Sequence, residues 1–355
     1  MIVADFHVHS PYSRATSKDM SLPVMALWAG RKGIHLLGTG DATHPVQVER
    51  IREQLEEAEE GLFRLRPGLR PDEWLPAGAP LETRFCLTGE ISSIYKRAGK
   101  VRKVHNLVVL SGLPGLERFR ERLGRLGNLV SDGRPILGLD ARELLALLLE
   151  TDPAGWLVPA HIWTPWFSVL GSRSGFDSIE ECFGDLAEHV FALETGLSSD
   201  PPMNDRVSAL DRFRLISCSD AHSAPNLMRN ATLFDGPLAL PALRQALAAG
   251  DPERHLGTLE LFPEEGKYHL DGHRKCGVRL EPEETRALGG LCPVCGQPVT
   301  VGVLARVVEL ADRSREQVGR GLRPFRRFIP LPEVLGAARG VGPGSAGVQA
   351  LYRRL

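Results

Sequence analysis

No stretch of this 355-residue sequence is apolar for long enough to span a membrane or act as a signal peptide, and its opening, MIVADFHVHS, carries an acid at Asp5. A cytoplasmic location is therefore the expectation. An excess of one charge is also missing: the formal net charge is -1, so the chain as a whole is not a polyanion binder by composition. Cysteine is sparse at six residues, and Cys86, Cys182 and Cys218 lie scattered in apolar contexts, as small buried residues do. No internal repeat is present, which excludes a solenoid.

What is present suits a soluble globular fold, with 43% hydrophobic and 25% charged residues. The length exceeds one compact domain, although an α/β barrel alone takes about 250 residues, so one large domain plus an appendage is expected. Short apolar runs alternate with helical stretches up to residue 260. Strands are expected at Ile2 to Val8, His35 to Thr39, Phe85 to Thr88, Val104 to Leu110, Leu157 to His161, Val190 to Leu193, Leu215 to Cys218 and Thr258 to Phe262. Helices are expected at Leu22 to Lys32, Val46 to about Leu65, Pro114 to Leu126, Ala141 to Glu150 and Pro241 to Ala249. This alternation predicts an α/β class with a parallel sheet or barrel. Residues 66 to 81, rich in Pro and Gly, read as a surface insertion. Residues 301 to 355 hold ten arginines against four acids, a net +6 that suggests a polyanionic partner or a solvated helix face.

Polar residues gather where the strands end, the edge on which α/β active sites form. His7-x-His9 and Asp220-x-His222 each follow an apolar run, and alternate strand residues share a face. With Asp41, Glu90, His105 and His161 they supply ligands for two or three metal ions, Glu90 being the candidate bridge. Asp5, on the face of the first pair, is expected to orient a ligand imidazole. Further on, His273-x-x-Cys276 and Cys292-x-x-Cys295 have the spacing of a structural zinc site, with His269 as the alternative fourth ligand.

The motifs D-F-H-V-H-S at 5 to 10, T-G-D at 39 to 41, G-E-I-S at 89 to 92, K-V-H-N at 103 to 106, P-A-H at 159 to 161 and S-D-A-H-S at 219 to 223 resemble those of the PHP phosphoesterases. That resemblance, over residues 1 to about 240, implies a distorted (β/α)7 barrel with a trinuclear metal centre. It places His7, His9, Glu90 and Asp220 on one metal, Glu90, His105 and His161 on a second, and His222 on a third. Arg14 stands where many relatives have Asp, and Ala42 where they have His. This leaves a two-metal centre as the alternative, or Asp41 or His44 as substitute ligands. The ions implied are Zn, Mn, Mg or Fe.

Finer text, Y-S-R-A-T-S-K-D-M at 12 to 20, H-I-W-T-P-W-F-S at 161 to 168, G-F-D-S-I-E-E-C-F at 175 to 183 and L-E-T-G-L-S-S-D at 193 to 200, resembles the endonuclease Q family across nearly the whole chain. The implied activity is hydrolysis of a DNA phosphodiester 5′ to uracil, hypoxanthine or xanthine, and at abasic sites, by base flipping and metal-activated water. Asp220, Glu90, His7, His9 and Arg14 are the catalytic candidates, with Arg14 as a phosphate fork. Lys18, Lys96, Arg102 and Lys103 are candidate DNA contacts, and Trp163, Ser168, Gly171 and Ser172 candidate base contacts. The expected division is 1–262 for the phosphoesterase domain, 263–302 for a zinc module, and 303–355 for a basic helical region. In that last region, residues 335 to 351 resemble a helix-hairpin-helix. DNA is the implied partner, placing the protein with the nucleoid, and recruitment by a sliding clamp is left open. Relatives are expected to extend beyond Leu355. The competing functions are a small-molecule phosphatase and a non-catalytic nucleic-acid binder.

Overall fold

The computed structural model describes residues 1–76, 82–319 and 321–354. Seven strands form the frame of the site: β1 (Ile2–Asp5), β2 (Leu36–Gly38), β3 (Arg84–Arg97), β4 (Lys100–Leu110), β5 (Trp156–Pro159), β6 (Ala192–Glu194) and β7 (Arg214–Ile216). They are joined into a ring. β1 pairs with β2 and β2 with β3 in parallel, β3 with β4 and β4 with β5 antiparallel, and β6 with β7 in parallel. Two links complete it: the Ile162 N–H donates to the Glu194 carbonyl at 3.0 Å, joining the ends of β5 and β6, and a parallel bridge pairs Val8 with Ala221 beyond β1 and β7. The result is a distorted α/β barrel rather than the uniformly parallel one that alternation alone suggests, because β3 and β4 form a long hairpin.

Local chemistry explains the elements. The helix Leu22–Lys32 opens with Pro23 in its first turn and closes on Gly33 in the left-handed region, with Arg31 and Lys32 in the last turn favouring the negative dipole end. Asp140 caps the helix Ala141–Thr151 by accepting from the Arg142 N–H. The helix expected from Val46 to about Leu65 is cut short. It spans Pro45–Gln54, and Leu55–Glu57 then pairs with Phe63–Leu65 as a hairpin that joins the edge of β3. Cross-strand pairing of Arg64 with Glu56 outweighs the helix preference of that glutamate-rich run. Of the expected surface insertion, residues 77–81 lie outside the described residues.

A buried core of Phe85, Phe119, Leu144, Phe176, Phe183 and Phe213, among others, surrounds the ring. Beyond it, Ala231–Phe234 runs antiparallel to β1, His255–Glu260 pairs with that strand, and Phe325–Arg327 adds in parallel. The last of these brings the chain's end back to the body. Four of the ten arginines of this region are paired with acids: Arg306 with Asp177 and Glu309, Arg313 with Asp211, Arg323 with Asp205 and Arg327 with Asp200. The expectation of a free basic surface is corrected for these four. Helices Leu331–Arg339 and Ala346–Tyr352 follow, joined through Gly340 to Ser345.

Candidate metal centre

Glu90, fully buried on β3, presents its two carboxylate oxygens to two separate groups of donors. Oε2 lies 3.5 Å from both His7 Nε2 and His9 Nε2, while Oε1 lies 2.6 Å from His105 Nδ1 and 3.2 Å from His161 Nε2. Asp220 joins the first group, its Oδ1 3.0 Å from His9 Nε2 and 3.8 Å from His7 Nε2. Ligand atoms of His7, His9 and Asp220 all fall within 4.8 Å of one another, as do those of Glu90, His105 and His161. A carboxylate shared between two such sets is the arrangement that bridges a pair of cations.

The backbone is shaped for this. His7 and His9 leave the end of β1 on one side, and Glu90 and His105 come from neighbouring strands of the hairpin. Asp41, His161 and Asp220 all have positive φ, 49°, 31° and 46°, a conformation that costs energy and is typical of functional sites.

Outer carboxylates fix the imidazoles. Both oxygens of Glu194 lie 3.0 Å from His7 Nδ1, and Oε2 also accepts from the His161 N–H at 2.7 Å. Asp41 Oδ1 lies 3.2 Å from His9 Nδ1, and its Oδ2 accepts from Ser10 N–H and O–H at 2.8 and 2.6 Å. With Nδ1 held by the outer carboxylates, Nε2 of each ring is turned toward Glu90, and that of His9 also toward Asp220 Oδ1. His7 Nε2 is buried with no hydrogen-bond partner, a cost that a bound cation removes. The donor set therefore fits divalent metals.

Charge in the metal-free centre follows from these contacts. Burial opposes the charged form of His9, but Asp220 and Asp41 outweigh it and raise the pKa to about 9. Burial opposes charge on His7 too, and Glu194 and Glu90 lift it well above its ordinary value. At His105, burial prevails and lowers the pKa to about 4. Glu90 stays ionised despite burial because His105, His7 and Arg134 surround it.

Several expected roles are corrected. Asp41 backs His9 and is not aimed at the metal face. Asp5 accepts from the N–H groups of Ser219 and Met228 at 2.9 and 3.0 Å, so it braces the segment carrying Asp220 rather than an imidazole. His44 is spent on the Val130 carbonyl at 3.1 Å and stacks on Tyr12. His222 belongs to neither donor group: its Nδ1 lies 2.9 Å from the Asp220 carbonyl, and its ring sits 4.3 Å from that of His9. Arg14, with a side chain 79% exposed, reaches Asp132 instead of the donors.

The expected substrate contacts divide. Trp163 is buried and donates its indole N–H to Asn204 Oδ1 at 2.8 Å, so it is core. Ser168 is buried against His161, 3.1 Å from Nδ1, and orients that ring. Gly171 is packed on the Thr164 carbonyl, where a side chain would collide, and Ser172 donates to the Val301 carbonyl at 3.0 Å. Arg102 is buried over the Phe176 ring and bonded to the Gly175 carbonyl. Lys96 lies six residues along β3 from Glu90, about 20 Å at strand rise. Lys103 stays at the rim, 5.2 Å from the centroid of Phe167, and exposed Lys18 follows Ser17, whose N–H bonds the His222 carbonyl.

A cavity of about 720 Å³ opens beside the centre. His105, His161, Glu194 and Asp220 form its floor, Trp166, Phe167, Phe262 and Tyr268 its apolar walls, and Arg134, Arg229 and Lys267 its cationic part. Trp166 and Tyr268 meet edge to face, ring centroids 6.3 Å apart. Sequence reading missed Arg134, Phe262 and Tyr268; Trp166 and Phe167 lie in the aromatic loop from Trp163 to Ser174 expected to stack on a base, and Glu194 was visible only as one more acid at a strand end.

The second donor cluster is His273, Cys276, Cys292 and Cys295, also within 4.8 Å of one another, between the strands Asp271–His273 and Val278–Leu280 and the Cys292–Cys295 turn. His273 Nδ1 lies 3.2 Å from Cys276 Sγ and 3.3 Å from Cys295 Sγ. His269 instead faces the Ser198 carbonyl at 3.1 Å. A tetrahedral zinc fits this set.

No protein-family model matches the chain. Over 99% of its length it superposes on the crystal structure of a lesion-specific endonuclease from Pyrococcus furiosus, with TM-score 0.82, 31% identity and 82% of that chain covered. It superposes equally on endonuclease Q in complex with a 27-mer duplex carrying an abasic lesion at the active site, with TM-score 0.83, 30% identity and 82% coverage. An uncharacterized Bacillus subtilis protein, YqxK, is 30% identical over 96% of this chain and 84% of its own. An uncharacterized Methanocaldococcus jannaschii protein is 33% identical over 54% of this chain, a match spanning about a quarter (24%) of that longer protein.

Proposed function

The chain belongs to the endonuclease Q family, and on that premise we propose that it is a DNA-repair hydrolase that cuts a phosphodiester of lesion-bearing DNA. The observation that carries the proposal is Glu90 shared between two histidine-containing donor groups, of which His105, His161 and Asp220 line the floor of a cavity with aromatic walls. We assign cleavage to the 5′ side of uracil, hypoxanthine, xanthine and abasic sites.

His7, His9, Glu90, His105, His161 and Asp220 would hold divalent cations, which would supply a lowered pKa for water and a Lewis acid at the phosphoryl oxygen. Glu194 and Asp41 keep the His7 and His9 rings turned with Nε2 inward. Glu90 remains an anion and holds the two groups at fixed separation. A flipped nucleotide leaves the duplex at a cost of roughly a few kcal/mol, least where pairing is already lost. Trp166, Phe167, Phe262 and Tyr268 offer stacking faces and exclude water, and Lys103, Lys18 and Lys267 offer phosphate contacts at the rim. Residues 1–262 act in this reading as the catalytic body, 263–302 as a zinc-stapled wall of the cavity, and 303–355 as an arm whose helical hairpin meets the DNA backbone, in the cytoplasm at the nucleoid.

Duplexes carrying one abasic site, uracil, hypoxanthine or xanthine, with an undamaged control, test this in a strand-cleavage assay with Mn, Mg or Zn. Cutting on the 5′ side of the lesion and sparing of the control are expected. Turnover of a small phosphomonoester alone would return the protein to the phosphatases, and lesion binding without cleavage would make it a binding module.

A further inference from the structure

Arg134 brings a guanidinium onto the carboxylate that joins the two donor groups: its Nη1 donates to Glu90 Oε2 at 3.0 Å. It reaches there from an irregular loop after the helix Leu113–Gly124, and that loop is pinned from both sides. Asp132 Oδ1 accepts from the N–H of Arg134 at 3.1 Å and of Arg14 at 3.3 Å, and Gly133 N–H donates to the Tyr12 carbonyl at 2.9 Å. The Ser92 N–H donates to the Pro135 carbonyl at 3.0 Å, fastening the loop to β3 two residues past Glu90. Gly133 itself lies flat on Asp41, where any Cβ would collide with the carboxylate and come within 2.6 Å of Ser13 Oγ. The side chain is thus delivered by rigid backbone, a quarter exposed, onto the cavity floor.

Such a position does more than neutralise Glu90. One guanidinium N–H meets the carboxylate, and a planar fork has further donors for a tetrahedral anion. Once cations share the charge of Glu90, the guanidinium is left facing the cavity with its nearest carboxylate partner already occupied. A largely buried cation whose carboxylate partner is taken up by metal is costly. The anion that would complete it there is a phosphate.

Building on the reading of this cavity as a phosphodiesterase site, we infer that Arg134 is a catalytic residue, holding a non-bridging oxygen of the scissile phosphate and stabilising the charge that builds on it. In the hydrolysis, a water oxygen bonds to phosphorus, the bond to the leaving sugar oxygen breaks, and a water proton ends on that oxygen. Arg134 stays protonated throughout. Arg14, out on the rim, holds Asp132 and so steadies the loop.

The test compares wild type, Arg134→Ala and Arg134→Lys under single turnover, on an abasic duplex and on bis(p-nitrophenyl) phosphate, with metal per protein measured on each sample. Arg134→Ala is expected to slow the saturated rate about 10²- to 10³-fold on both substrates. Wild-type metal content is expected to persist, added guanidinium is expected to restore part of the rate, and Arg134→Lys is expected to fall between. An unchanged rate overturns the assignment. So does a lost rate accompanied by lost metal and no guanidinium rescue, because Arg134 then only props Glu90. If the wild type cleaves the small diester but spares the abasic duplex, the repair reading fails, while the Arg134 dependence on the diester still decides this inference.

Discussion

Glu194 cradles His7: both of its carboxylate oxygens lie 3.0 Å from the same ring nitrogen, Nδ1. The pair orients the ring, so His7 Nε2 is turned toward Glu90 and offers its lone pair once its proton has left. Because Glu194 belongs to neither donor group, its loss is expected to weaken the centre without abolishing it. Glu194→Gln keeps the shape but loses the charge, and a drop in metal affinity of about 10- to 100-fold is expected by competitive chelator titration. Unchanged affinity would show that His7 needs no outer partner.

Proton release should accompany metal loading. His9, with its pKa raised to about 9, and His7, raised well above 6.5, both carry protons at neutral pH in the metal-free centre, and a ligand imidazole must be neutral. Affinity at the His7, His9 and Asp220 group is therefore expected to rise with pH from neutral to at least about 9. His105, lowered to about 4, is already neutral, which leaves only His161, raised against burial by Glu90, to lose a proton, so the pH response of the other group is expected to be shallower. Calorimetry at pH 7 and 9.5 in buffers of different ionisation enthalpy measures the protons; none released at pH 7 would refute the assignment of charge.

Strand periodicity made most of the centre readable. His7, His9, Glu90, His105, His161 and Asp220 each end or interrupt an apolar run, and alternation puts His7 and His9 on one side. Arg134 left no such trace, because its position depends on an aperiodic loop lying flat against Asp41. Nor does sequence tell a ligand from the group behind it: Asp41 and Glu194 occupy strand ends like the ligands do, and only three-dimensional distance separates them. The helix expected through Leu65 failed for a different reason, since pairing of the Leu55–Glu57 hairpin with β3 is non-local and overrides propensity.

Metal removal at the cysteine cluster is expected to unfold one part of the chain and spare the rest. The module's own core is only Leu280, Cys292 and Val299, with Cys276 and Val278 beside it, too little apolar surface to hold a fold unaided. Cys292→Ala is expected to release the zinc and open residues 271–300 to protease, while fragments covering 1–260 survive. Limited proteolysis read by mass spectrometry checks this, and equal protection of the module would mean that it folds without metal.

Two tryptophans three residues apart are expected to fail in opposite ways. Trp163 is enclosed in the core with its indole N–H on Asn204, so Trp163→Ala should destabilise the fold by about 3–5 kcal/mol. Trp166 is 38% exposed on the cavity wall against Tyr268, where it can stack on a base and supports little of the core. Trp166→Ala is therefore expected to leave the denaturation midpoint near wild type and to weaken binding of a uracil duplex by about 1–3 kcal/mol, roughly 5- to 150-fold in Kd. Denaturant titration and fluorescence anisotropy on both variants separate the effects. If Trp163→Ala proved the binding mutant and Trp166→Ala the unstable one, the cavity would not be where the nucleotide sits.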